Sequence, residues 1–198
     1  IPLRLVGSEM CIRDSARGTI GGSIAHADPS AEIALVAITL NAEITYQDGE
    51  DDVVFDANDF FIGPMLTLAP PSGCLVRTGF PKAPAICGTG FHEVAPRRSD
   101  YALASAAAQI SASVDGKIEK IDVGVGSVGD FPERLKVDAL LTSDLGDDTI
   151  SQVLHAAMAD IETVEDLHAS AAYRKRVATE LAIRAVRDAL NEIKKGTR

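Results

Sequence analysis

The stretch ARGTIGGSIAHADPSAE, Ala16 to Glu32, holds the densest set of groups in the chain suited to meeting a ligand. Adjacent glycines, Gly21 and Gly22, follow a Thr-Ile pair and precede His26, Asp28, Pro29 and Glu32. Glycine lacks a Cβ, so the pair reads as a turn and lets another molecule come close to the backbone. A helix starting near Pro29, capped by Asp28, adds its free N–H groups to the same cradle. Such a cradle takes a phosphate or pyrophosphate without basic side chains. The loop is not the G-x-G-x-x-G dinucleotide fingerprint, and it lacks the Gly-Lys-Ser/Thr of a Walker A loop. A plain surface turn accounts for the same residues, and Asp28 with Glu32 reads equally as a solvated first helical turn.

Other chemistries find little support. His92 sits in a strand pattern beside Glu93, while His155 and His168 fall in helical or pre-helical segments. No spacing argues for a Ser-His-Asp or Cys-His set, so no catalytic side chain is assigned. Cys11, Cys74 and Cys87 form no CxxC and no Cys/His cluster, which argues against a zinc or iron–sulfur site in this chain. An odd cysteine count in 198 residues suits a reducing compartment, and the expected location is cytoplasmic. A formal charge of -10 argues against nucleic acid or an anionic membrane as main partner. No apolar run has the length of a membrane span, and IPLRLVGSEM lacks the core and cleavage site of a signal peptide.

The elements that must position the loop follow from periodicity. IPLRLVGSEMCIRDS has no initiator Met and no clear period. It reads as translated adapter or vector sequence, so residues 1–15 are set aside and the native chain is expected to begin upstream. Ile33, Val36, Ala37 and Leu40 suit one face of a short helix. Strands are expected at Glu43–Tyr46, Val53–Phe55, CLVRTGF and AICGTGFHEVA, with a helical turn near Asp59–Phe61. The Ala-rich run after Asp100 has helix propensity. Yet Asp115-Gly116 lies between two alternating runs, a hairpin signal, so the run is assigned as a strand of the same sheet. Helices are expected in ERLKVDALLTS, in DDTISQVLHAAMADI capped by Asp147 or Asp148, and from Ser170 on. The last carries Tyr173, Val177, Leu181, Ala185 and Leu190 as its stripe. The composition shift at Ala95–Asp100 divides residues 16–95 from residues 96–198.

Four segments in order resemble a known family. RGTIGGSIAHADPSAE is similar to the second flavin-binding motif of the FAD-containing medium subunit of molybdenum hydroxylases, the aerobic carbon monoxide dehydrogenase and xanthine dehydrogenase type. DFFIGPMLTLAPPSGCLVRTGFP, GFHEVAPRRSDYALASAAA and DLHASAAYRKRVATELAIRAV resemble later segments of that subunit. The resemblance implies an α+β protein: the second half of a vanillyl-alcohol-oxidase-type FAD-binding domain, then a C-terminal domain of a three-stranded antiparallel sheet packed on helices. It implies that Thr19, Ile20, Gly21, Gly22 and Ser23 hold the FAD pyrophosphate. It places His26 and Glu32 along the ribityl and isoalloxazine part, with Asp28 in the same motif. Leu75 would pack near the flavin ring, and His92 falls where relatives carry a polar residue near it.

The implied role is electron relay from the [2Fe-2S] clusters of a small subunit, through FAD, to NAD, oxygen or a quinone. Substrate oxidation would occur at the molybdopterin of a large subunit. Nothing in the chain matches the family's other pyrophosphate loop, Ala-Gly-Gly-Thr, so weak or no independent FAD binding is expected. Pro96 departs from the family's Val-Ala-Arg-Arg. Two other readings stand beside this one: a non-redox phosphate- or nucleotide-binding module, and a structural subunit without flavin.

Overall fold

The structure is a computed structural model that describes residues 18–97 and 100–196. The segment 1–15 set aside above and residues 98–99 of VAPRRS lie outside the described residues. Thr19 opens the first element. Its extended backbone and its Oγ1, which accepts from the Gly22 N–H at 2.9 Å, make it the N-cap of α1, Ile20–His26. The Gly-Gly pair is therefore the first turn of a helix and not a loop turn. Two glycines cost a helix about 1 kcal/mol each relative to alanine. The cap and the complete burial of Ile24 offset that cost. α1 stops at Ala27, which takes a left-handed conformation at φ +54°.

Asp28 does not cap a helix at Pro29. Its Oδ1 accepts from the Ser30 N–H at 2.7 Å, which closes a local turn. The helix α2, Glu32–Leu40, starts after it with Ala31 as N-cap. Its buried residues are Ala34, Leu35, Ala37, Ile38 and Thr39, so of the expected face only Ala37 is deeply buried. The helix is apolar nearly all round, and period alone cannot choose its face. The reason is that α2 is covered on two sides. Ala34, Ala37 and Ile38 join Ile24, Ile44, Tyr46 and Phe60 in an N-terminal core. Leu35 and Thr39 face Gly124 and Gly126 of a second layer.

The N-terminal layer is a three-stranded antiparallel sheet in the order β2-β1-β5, from β1 (Glu43–Asp48), β2 (Asp51–Asp56) and β5 (Cys74–Gly79). The short α3 (Ala57–Phe60) and the pair β3 (Phe61–Gly63) and β4 (Leu66–Thr67) lie between β2 and β5 in the chain. Tyr46, Phe55, Phe60 and Phe61 pack their rings together here, with centroids 5.1 to 6.5 Å apart.

The C-terminal layer is an antiparallel sheet in the order β6-β7-β8-β9. Its three long strands are β6 (Cys87–Val94), β7 (Ala104–Ala112) and β8 (Ile118–Gly126). The two-residue β9 (Glu133–Arg134) extends it, and the sheet thus begins before the composition shift at 95–100. The Ala-rich run is a strand, and Gly116 at φ +79° turns the hairpin. The segment read as a helix at ERLKVDALLTS is β9 followed by a 3-10 turn, Asp138–Thr142. The sheet claims its first residues, for the Leu135 N–H donates to Val123 O at 2.8 Å. Helix α4 is Asp147–Ala159, with Gly146 rather than Asp147 or Asp148 at the N-cap. Asp144 instead accepts from the Gly146 N–H and the Thr149 hydroxyl. Helix α5, Ala171–Gly196, buries Leu181, Ala185 and Leu190 of the expected stripe, whereas Tyr173 and Val177 stay half-buried.

Strand alternation decides what each sheet face meets. Gly88 and Gly90 pair with Ile110 and Ala108, on the face with Ala104 and Ala106. A Cβ on Gly90 would sit 2.1 Å from Ala185 O, and one on Gly88 would sit 1.9 Å from Ala189 O. Helix α5 thus lies with its backbone against β6. Gly124 and Gly126 pair with Ala107 and Ser105, on the opposite face, beneath Leu35 and Thr39 of α2.

Candidate cofactor site

α1 and the turn before α2 border an open cavity of about 310 Å³. Thr19, Gly22, Ser23, His26, Asp28 and Glu32 all line it. Six residues singled out in the sequence therefore meet around one space. Among the described residues no Lys or Arg side chain lines this cavity. Its polar surface is hydroxyl and backbone from Thr19, Ser23 and Ser30, an imidazole, and two carboxylates. Hydroxyls and N–H groups suit phosphate oxygens, whereas carboxylates repel them and accept from sugar or ribityl hydroxyls. A ligand that is part phosphate and part polyol fits this arrangement better than a bare anion.

The glycines divide the work. A Cβ on Gly21 would lie 3.2 Å from Leu75 Cδ2, so Gly21 lets α1 settle on β5. Leu75 is partly buried against the N-terminal core, under α1. Gly22 is on the cavity side, and a Cβ there would press to 2.9 Å from the Thr19 hydroxyl that caps the helix. Ile20 is 53% exposed and lies outside the cavity wall. His92 is elsewhere. It pairs with Ala106 across β6 and β7, on the face covered by α5, and its Nε2 is 2.8 Å from Asp188 of that helix. The structure does not bring His92 to the cavity.

Tyr101 is a site residue that the sequence pattern concealed. The run after Asp100 was assigned as a strand, but β7 begins at Ala104, and Tyr101 is exposed on the segment before it. Its side lines the small cavity and also a larger one of about 670 Å³, and Ser30 is shared in the same way. The two spaces meet across these residues. The larger one runs between Pro29, Tyr101, Leu103, Ser127, Asp166 and Arg174. An exposed ring next to a phosphate-and-polyol cavity offers a platform for a flat ligand.

Arg174 belongs to the DLHASAAYRKRVATELAIRAV segment but was given no role there, and it stands in register with the buried stripe of α5. It is only 5% exposed. Its Nη1 donates to Leu103 O and to Ser127 O, both at 2.7 Å, and its Nη2 to Asp166 Oδ2 at 2.6 Å. The Ala169 and His168 amides, with Arg174, hold the Asp166 carboxyl down at about 2. Glu133 moves the other way: burial, aided by the nearby Glu162 charge, raises its pKa. Among the described residues no group of His, Cys, Asp and Glu side chains is arranged to hold a metal.

Comparison with known proteins decides the family. Residues 90–189 match the CO dehydrogenase flavoprotein C-terminal domain. The chain belongs to this family of flavin-binding medium subunits. Residues 7–83 match the FAD binding domain in molybdopterin dehydrogenase, so FAD is the cofactor of this family's fold. The chain is 30% identical over 177 residues to the 6-hydroxypseudooxynicotine dehydrogenase complex subunit alpha of Paenarthrobacter nicotinovorans, covering 88% of this chain and 60% of that one. It superposes with a TM-score of 0.83 and 26% identity on the carbon monoxide dehydrogenase from Hydrogenophaga pseudoflava that lacks the Mo-pyranopterin moiety, covering 89% of this chain and 62% of that one. Quinoline 2-oxidoreductase from Pseudomonas putida 86 gives 0.81 and 29%, covering 90% and 62%. The chain thus spans about 60% of the length of the curated relatives it matches. Among the described residues no helix is long and apolar enough to cross a membrane.

Proposed function

We propose that this flavoprotein chain relays electrons within a molybdenum hydroxylase complex, from the [2Fe-2S] clusters of a small subunit to NAD, oxygen or a quinone. Substrate oxidation belongs to the molybdopterin of a large subunit. The observation that carries the reading is the convergence of Thr19, Gly22, Ser23, His26, Asp28 and Glu32 on one cavity free of Lys and Arg side chains among the described residues. These residues fit FAD. Thr19, Gly22 and Ser23 would hold the pyrophosphate, with Gly22 leaving the space a Cβ would fill. His26, Asp28 and Glu32 would face the ribityl hydroxyls, and Tyr101 would lie against the ring. Leu75 acts through Gly21, by seating α1. His92 at its pair with Asp188 supports the α5 face rather than the flavin. FAD, when bound, would supply the electron chemistry; the chain would bind and orient it. The segment 80–86, between β5 and β6, is the proposed junction between the flavin-binding and C-terminal parts.

Visible absorbance of the protein purified with its accompanying subunits tests the reading. Flavin bands that bleach on anaerobic addition of the reduced iron–sulfur subunit are the expected result. A preparation without flavin bands that binds other nucleotides would favour a non-redox phosphate-binding module. Bound flavin that never bleaches would refute the relay.

A further inference from the structure

The larger cavity is walled in part by groups that the flavin reading leaves unused, Ser127 and Arg174 among them. Ser127 takes a left-handed backbone at φ +62° although it is not glycine. It is held on both sides: its N–H donates to Pro29 O at 3.0 Å, and its carbonyl accepts from Arg174 at 2.7 Å. The same Arg174 nitrogen takes Leu103 O, two residues after Tyr101. The side-chain Nε of Arg174 and the hydroxyl of Ser127 are buried, and neither has a partner among the described residues. One guanidinium from α5 therefore grips both segments that border the cofactor cavity, the Pro29 side through Ser127 and the Tyr101 side through Leu103. Hydrophobic packing alone does not require a charged group there, because its neighbours along α5 are Ala178, Leu181 and Ala182.

We propose that Arg174 is a positioning residue for the flavin: it sets the spacing between Tyr101 and the Asp28–Glu32 turn, and Asp166 orients the guanidinium that does so. Arg174 touches no ligand in this account. It acts through the two carbonyls, and a misplaced Tyr101 segment lowers the fraction of molecules competent to bind. The proposal rests on the flavin reading above.

The test uses the protein purified from cells with whatever subunits accompany it, carrying Arg174→Lys or Asp166→Asn, with FAD as the probe. Lysine keeps the charge opposite Asp166 but has a single nitrogen where arginine bridges three acceptors. The expected result for Arg174→Lys is an FAD dissociation constant about tenfold higher, as when the competent arrangement is populated about a tenth of the time. Flavin that remains bound should fluoresce more strongly, because the Tyr101 ring no longer quenches it, while far-ultraviolet circular dichroism stays that of wild type. Asp166→Asn should move both readouts in the same direction by less, and it carries the test if the lysine variant does not fold. A purely structural role would lower the melting temperature and leave the FAD constant and fluorescence of the folded protein unchanged, and that outcome overturns the proposal. Wild-type protein that, purified with its accompanying subunits, holds no flavin and takes up no added FAD overturns the flavin reading itself, before any variant is made; the weak or absent binding expected of the isolated chain does not.

Discussion

Helices α2 and α5 cover opposite faces of one sheet, and each rests on a pair of glycines. The contacts differ in kind. At α5 the atoms opposite Gly88 and Gly90 are backbone carbonyls, Ala189 O and Ala185 O. At α2 the atoms opposite Gly124 belong to the side chains of Thr39 and Leu35. A carbonyl inside a helix cannot turn aside, whereas a threonine can change rotamer. The α5 face is therefore fixed, and the α2 face has slack. The cofactor cavity borders α2, the adjustable side. Arg174 is the point at which the fixed side reaches across to control it.

Gly90→Ala should give the largest effect. Its Cβ would lie 2.1 Å from Ala185 O, so the whole of α5 must shift. The expected loss is about 3 kcal/mol, the upper end of ordinary overpacking, or about 6–12 °C in melting temperature at this size. Gly124→Ala presses on Thr39 Oγ1 at 2.2 Å. That hydroxyl can swing away and give up its bond to Leu35 O, so the expected loss is about 1 kcal/mol. Thermal melts of the two variants side by side sharpen the comparison, and equal losses would break it.

A smaller effect appears only in acid. The Asp166 carboxyl stands at about 2 against an ordinary 3.8. A depressed carboxylate stabilises the fold above its unfolded value, and that contribution is lost as pH falls through the folded one. Wild type should therefore lose melting temperature faster than Asp166→Asn between about pH 4 and about pH 2. Parallel curves would mean that the Arg174–Asp166 pair carries no net stability.

Much of this fold could be read from the chain, and the failures have physical causes. The residue types of Glu43–Tyr46 and the Asp115-Gly116 turn announced a strand and a hairpin, because a sheet favours β-branched and aromatic residues and a left-handed turn favours glycine. Even the Ala-rich strand was legible once its hairpin was seen. α1 was not, because two glycines signal a turn unless Thr19 caps them and Ile24 is buried, and burial is a tertiary fact. The face of α2 was misread because a helix covered on two sides has no polar stripe to mark its outside. At the site, the compact motif Thr19–Glu32 gave six cavity residues, since neighbours in sequence stay neighbours in space. Tyr101 and Arg174 enter from other elements. Only the register of β7 and the packing of α5 bring them there, although an arginine in line with an apolar stripe was a sign open to reading.

The most direct test of the central claim, that FAD is held where Gly22 leaves room, is the flavin content of Gly22→Asp measured with its melting temperature. A side chain at Gly22 meets the Thr19 cap at 2.9 Å, and loss of a cap costs about 1 kcal/mol, offset by removing a helical glycine. The melting temperature should therefore change by less than about 4 °C. The flavin should be lost, because a carboxylate then occupies the space for the pyrophosphate. Flavin retained at the wild-type ratio in a folded Gly22→Asp protein would contradict the account.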